Sequence, residues 1–161
     1  MSRVEYSISS LEEEELSLVL ESFTEEDAWL VGSSLAVRAL REALPVAIDI
    51  RRPNYPLFRA AFAGSTADQS SWIDRKAATV FRFQASSLLV GMRMGPTEHD
   101  PFASGWLDPA RYTLAGGSVP VRVSGAGVVA AVTVSGRSSE EDHALAAEAL
   151  RERRSGQRRP A

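Results

Sequence analysis

Apolar residues recur at helical spacing through Ala28, Val31, Leu35 and Ala39, with Ala36 and Leu40 beside them, and predict an amphipathic helix ending near Ala43. Thr24 followed by Glu25, Glu26 and Asp27 marks its start, with a hydroxyl to cap free amides and acids set against the positive end of the helix dipole. Pro45 stops the helix and opens Val46 to Arg51. There the alternation puts Val46, Ile48 and Ile50 on one face and Asp49 and Arg51 on the other, which predicts a strand half exposed on its charged side. Arg52-Pro53-Asn54-Tyr55 carries turn chemistry and Leu57 to Ala63 returns as a second strand, so the pair reads as an antiparallel hairpin.

Upstream, residues 1–10 are polar and read as a flexible N-terminus, Leu11 to Leu16 as a short acidic helix, and Ser17 to Phe23 as its continuation or, preferably, a short strand. Downstream, Asp68 is placed to cap a helix with Trp72, Ile73, Ala77, Val80 and Phe81 on or near its buried side, running on towards Gly91. Residues 95–117 show no sustained period and are punctuated by Gly95-Pro96, Asp100-Pro101, Asp108-Pro109 and Gly116-Gly117. They predict a long connection of the kind that covers a site or an interface. Val119 to Val123 and Val128 to Ser135 predict two strands joined by a glycine turn, the second with a narrow face of Val129, Ala131, Thr133 and Ser135. Ser138-Ser139-Glu140-Glu141 is a capping box that opens a helix with His143, Ala146, Ala147 and Leu150 on one stripe.

This order predicts an α+β fold: one layered α/β domain over residues 11–152, with a small antiparallel sheet and helices packed on it, followed by a basic disordered tail over 153–161. The length of 161 residues suits one domain whose core needs no staple, and the absence of cysteine removes disulfides, thiolate nucleophiles and Cys-based metal sites. Nine acids against Arg3 alone in the first 27 residues are the opposite of a signal-peptide start, and no apolar run approaches a membrane span. The expectation is a cytoplasmic protein with no membrane role. Net charge is -3, yet the last eleven residues hold five arginines and one glutamate; a solvated tail, rather than a nucleic-acid contact, accounts for them.

No GxSxG, no phosphate loop with lysine, no HExxH and no GxGxxG after a strand is present, and Gly125-Ala126-Gly127 reads as a hairpin turn. With two histidines 44 positions apart, no metal site is expected, though His99 with Asp100 has ligand chemistry. Met92 and Met94 read as packing rather than as haem ligands. His143, near a helix N-terminus and on an apolar stripe, predicts a neutral imidazole: a weak candidate for a general base, a ligand contact, or a core histidine bonded to a strand. Lys76 is either a surface cation paired with a neighbour or an anion-binding or Schiff-base lysine, and Asp49 and Arg51 share a face on which they can pair.

Several phrases occur together and in order: Leu44 to Arg51, Trp72-Ile73-Asp74-Arg75-Lys76, Trp106-Leu107-Asp108-Pro109, Gly116 to Val123, and Gly125 to Gly136 followed by Glu141-Asp142-His143. Over about residues 11–152 the chain resembles the HbpS/GlcG-like haem-degrading-domain superfamily, and within it a branch of bacterial and fungal proteins with an extra N-terminal segment. The resemblance implies a layered α/β fold and a homo-oligomer. It places Lys76, Asp142 and Gly136 on positions the superfamily shares and His143 on one belonging to the narrower branch. The family name comes from secreted members that bind and degrade haem, which makes haem a possible ligand, although no haem-ligand motif carries over. A fungal relative resembles a partner in tail-anchored-protein targeting, which implies scaffolding as readily as chemistry. The expected function is an oligomeric binding protein for a small molecule or haem-like ligand near Lys76, Ser135, Asp142 and His143. The alternatives are a ligand-free adaptor and an enzyme of haem or small-acid metabolism.

Overall fold

The computed structural model describes residues 4–96 and 98–158. Its elements are α1 (Ile8–Ser17), α2 (Glu25–Arg41), β1 (Ala47–Arg52), β2 (Tyr55–Ala61), α3 (Asp68–Phe83), α4 (Ser87–Arg93), β3 (Ser118–Val123), β4 (Gly127–Ser135) and α5 (Ser139–Arg158). The four strands form one sheet in the order β2-β1-β4-β3, every neighbour antiparallel, so the fold is the expected layered α+β arrangement. Pro56 and Arg59 on one edge strand and Pro120 and Arg122 on the other limit further strand pairing.

One sheet face is aliphatic. Val46, Ile48, Ile50, Val119, Val121, Val132 and Val134 meet Ala28, Val31 and Leu35 of α2 and Ala146, Ala147 and Leu150 of α5. The opposite face differs from expectation, because β1 is not half exposed. Helix α3 packs on β1, β3 and β4, and Asp49 is fully buried. The carboxylate is held by Arg51 through a two-pronged contact at 2.6 and 3.0 Å, and Arg51 also reaches Asp74 at 2.9 Å. Ser118, Thr133 and Thr79 fill the same layer: the Ser118 and Thr133 hydroxyls lie 2.8 Å apart, and the Thr79 hydroxyl donates to the Thr113 carbonyl at 2.7 Å. A polar interior of this kind stands because each group has a partner.

Three boundaries depart from the sequence reading. Helix α1 starts at Ile8, where Ser7 and Ser10 form a reciprocal cap, so residues 8–10 are helical. Helix α3 ends at Phe83 and is capped by Gln84, which is left-handed at φ 55°, and α4 begins anew with the Ser86 hydroxyl accepting from the Leu89 amide. Helix α5 continues to Arg158, so the arginines of the expected loose tail are largely helical. Arg153 bonds Asp27 at 2.8 Å and Arg154 donates to the Val19 carbonyl at 3.2 Å. Residues 1–3 and 159–161 lie outside the described residues. The segment after α1 makes a single bridge, Leu20 to Val123, rather than a strand.

Candidate functional site

The site lies where β4 turns into α5. Gly136 makes that turn at φ 146°, a conformation L side chains rarely adopt, and a Cβ there would overlap the Pro45 carbonyl oxygen. Ser138 and Glu141 then close the predicted capping box, the Ser138 amide donating to Glu141 at 3.1 Å and the Glu141 amide to the Ser138 hydroxyl at 3.2 Å. Arg137 and Ser138 hold the Glu141 carboxyl down at about 2.

Asp142 turns its side chain back under this junction. Its Oδ1 accepts from the Arg137 amide at 3.1 Å, and its Oδ2 accepts from the Gly136 amide at 3.3 Å and from Lys76 Nζ at 3.1 Å. Lys76 reaches it from α3 and also donates to the Val134 carbonyl at 3.1 Å. Lys76 is therefore no surface cation: it is 4% exposed and Asp142 is 1% exposed. Burial pulls the lysine down and pushes the carboxyl up, and in each case the opposite charge works against the shift. Gly117 permits the approach, since a Cβ on it would come 2.7 Å from Lys76 Nζ and 3.0 Å from the Asp142 Cβ.

Above the pair is a cavity of about 210 Å³, lined by Lys76, Asp142, Ser135, Gly136, Arg137, Ser139, Ala115, Gln69 and Trp72. Its rim is fixed by neighbours. Trp72 Nε1 donates to Asp68 at 3.0 Å and carries the Arg75 guanidinium 4.1 Å above its ring, while the Ser139 hydroxyl accepts from the Gly116 amide at 3.0 Å. An ammonium has three N–H donors. Two from Lys76 are taken up by Asp142 and Val134, leaving one beside the Ser135 and Ser139 hydroxyls, while the Arg137 guanidinium at the rim is paired with Glu141 at 3.2 and 3.3 Å. That donor set suits a small anion.

Of the residues picked out from sequence, Lys76, Ser135 and Asp142 come together here and His143 does not. One helical step beyond Asp142, His143 is fully buried against α1, its Nε2 2.6 Å from Glu14 Oε1 and its ring edge-on to Tyr6 at 5.0 Å. A carboxylate can only accept, so Nε2 carries the hydrogen, and Nδ1 is left buried without a hydrogen-bond partner. Burial opposes the Glu14 charge, but the bonds from His143 and Arg151 prevail and hold that carboxyl below the usual range. Burial, aided by Glu14, pushes the Tyr6 hydroxyl up to about 12.

Glu14 was not singled out by sequence reasoning, nor was Glu15, which is 5% exposed and accepts from the Ser86 amide at 2.7 Å and from Arg122 at 3.1 Å. The signal was available: Leu11, Glu14, Glu15 and Leu18 share one helical face, and Leu11 and Leu18 are both buried. Met92 and Met94 pack against the small cluster around Leu11 and Leu89, as expected. Among the described residues no three His, Asp or Glu side chains gather as a metal site, and no helix is long and apolar enough to cross a membrane.

The fold is thus an antiparallel four-stranded sheet with helices on both faces, with a buried lysine–aspartate pair at its strand-to-helix junction. The chain belongs to the family described as haem degrading protein HbpS-like, whose model matches residues 23–151. It is 48% identical over 144 residues to a UPF0303 protein of Streptomyces avermitilis, covering 89% of this chain and 88% of that relative. The crystal structure of the Ybr137w protein superimposes with a TM-score of 0.86 at 32% identity, covering 95% of this chain and 90% of the other. A PduOC–haem complex shares the fold, with a TM-score of 0.62 at 19% identity over 82% of this chain and 94% of the other. The cavity itself does not fit haem: its lining contains no histidine, methionine, cysteine or tyrosine to ligate iron, and at 210 Å³ it is below the range of roughly 300–1,000 Å³ of sites for larger ligands.

Proposed function

We propose that this protein is a cytoplasmic, homo-oligomeric binding protein for a small anionic molecule, a carboxylate or phosphate, held in the cavity between α3 and the β4–α5 junction. One observation carries the reading: a buried ammonium, Lys76, on the floor of a polar cavity with Arg137 at its edge and one N–H unused. Asp142 favours the charged form of the lysine against burial and holds it in place, and Ser135 and Ser139 supply directional hydroxyls. At roughly 30 Å³ per water, the cavity holds about seven waters' worth of ligand. The large exposed apolar side chains of α2 support assembly.

The test is a thermal-shift screen of small mono- and dicarboxylates and inorganic phosphate, with haemin titrated in parallel and followed at its Soret band. A ligand at a hundredfold excess over its dissociation constant stabilises by about 2.7 kcal/mol. The expected result is stabilisation by a small anion that Arg137→Ala weakens at least severalfold. A saturable haemin signal with no anion response would replace this reading with a haem-binding one at another surface. No response to any of these would leave the adaptor reading.

A further inference from the structure

Helix α2 is apolar on both sides. Ala28, Val31, Leu35 and Ala39 face the sheet, while Trp29, Leu30, Val37 and Leu40 stand on the opposite side at 62, 42, 59 and 69% exposure. This second apolar stripe faces outward, and side chains of this size exposed together approach the few hundred Å² at which a patch marks an interaction site. The nearby edge strand β2 offers no alternative contact by strand addition, since Pro56 and Arg59 interrupt it.

We propose that this face is the two-fold interface with a second copy of the chain, the two α2 helices packing antiparallel. The proposal rests on the oligomeric reading above and specifies its geometry. Its support is self-complementarity. Glu26 marks the first turn and Arg41 the last, both are exposed, and among the described residues neither forms an ion pair, whereas Glu25 pairs with Arg52 and Arg38 with Glu42 and Glu148. A two-fold axis perpendicular to the helix keeps lateral position and reverses axial position. It therefore sets Glu26 of one copy by Arg41 of the other, Leu30 against Val37, and Trp29 against Leu40. Ser33 and Ala36, the small residues of the stripe, fall at the crossing, where they permit interaxial distances of about 8–10 Å. The antiparallel arrangement also pairs opposite helix-dipole ends. A lipid surface fits less well, because such helices carry lysine and arginine along their polar borders and this one opens on glutamates.

The experiment measures solution mass by light scattering and covalent capture through Ser33→Cys, which is unambiguous in a chain without cysteine. The expected results are an oligomer for the unmodified protein and a smaller species for Leu40→Glu with an unchanged circular dichroism spectrum. Glu26→Arg and Arg41→Glu should each weaken assembly at least tenfold, and the double exchange should restore it. Oxidised Ser33→Cys should form a disulfide dimer, which Glu13→Cys, on the exposed side of α1, should not. An oligomer unaffected by Leu40→Glu and without Ser33→Cys capture overturns this interface and leaves the oligomeric reading standing. A monomer overturns both.

Discussion

Replacing Lys76 by methionine removes the ammonium, keeps much of the side-chain volume, and leaves Asp142 buried at 1% exposure without its counter-charge. Breaking a buried pair by removing one partner costs about 3–5 kcal/mol, and exposures of 4 and 1% leave little solvent to screen the loss. The two amides of Gly136 and Arg137 still donate to the carboxylate, which places the expectation near the lower end, about 3 kcal/mol. For a chain of this size that corresponds to a Tm lowered by roughly 6–12 °C. The sign of the pH dependence follows from Asp142. Burial already raises its folded pKa above the unfolded value, and losing Lys76 raises it further. Protonation then favours the fold, so the penalty is full above the folded pKa and shrinks as pH falls through it towards the unfolded value. The double variant Lys76→Met/Asp142→Asn removes the stranded charge while keeping an oxygen for one amide, and should recover at least half the loss. Urea and thermal unfolding followed by circular dichroism measure all three chains. A single-variant loss under about 1 kcal/mol, or additive losses in the double variant, would refute the account of this pair as a mutually dependent clamp.

Glu14→Gln weakens the contacts to His143 and Arg151 and should cost about 1.5–3 kcal/mol at neutral pH. Because the Glu14 and Asp27 carboxyls sit below their ordinary values in the fold, their stabilisation is present above about pH 4.5 and is lost as pH falls through the folded values. Acid unfolding curves of Glu14→Gln should accordingly be flatter between roughly pH 5 and 3. Gly136→Ala should destabilise by at least about 2 kcal/mol, since its Cβ meets backbone that cannot yield. Gly125→Ala, with open space around it and φ +79°, should cost about 1–2 kcal/mol from backbone strain alone, so chemical denaturation should rank the two.

The sequence by itself determined what is local. Helix α2 with its Thr24 cap, the hairpin after Pro45, the second hairpin around Gly125 and the Ser138–Glu141 capping box all follow from the spacing of apolar residues and from a few caps and turns, which act within four or five residues. Periodicity also placed Asp49 and Arg51 together on one strand face, but it could not say that α3 covers that face. Tertiary structure decided the partners. Lys76 and Asp142 are 66 residues apart and His143 and Glu14 are 129 apart, and charge alone in a sequence with 39 ionised side chains does not select one pairing. A helix pattern shows which residues lie on a stripe but not what the stripe meets: Asp142 and His143, adjacent in the chain and about 100° apart around α5, meet different elements. Lys76, reaching from α3, holds one beside the cavity, and Glu14, reaching from α1, holds the other in a closed contact.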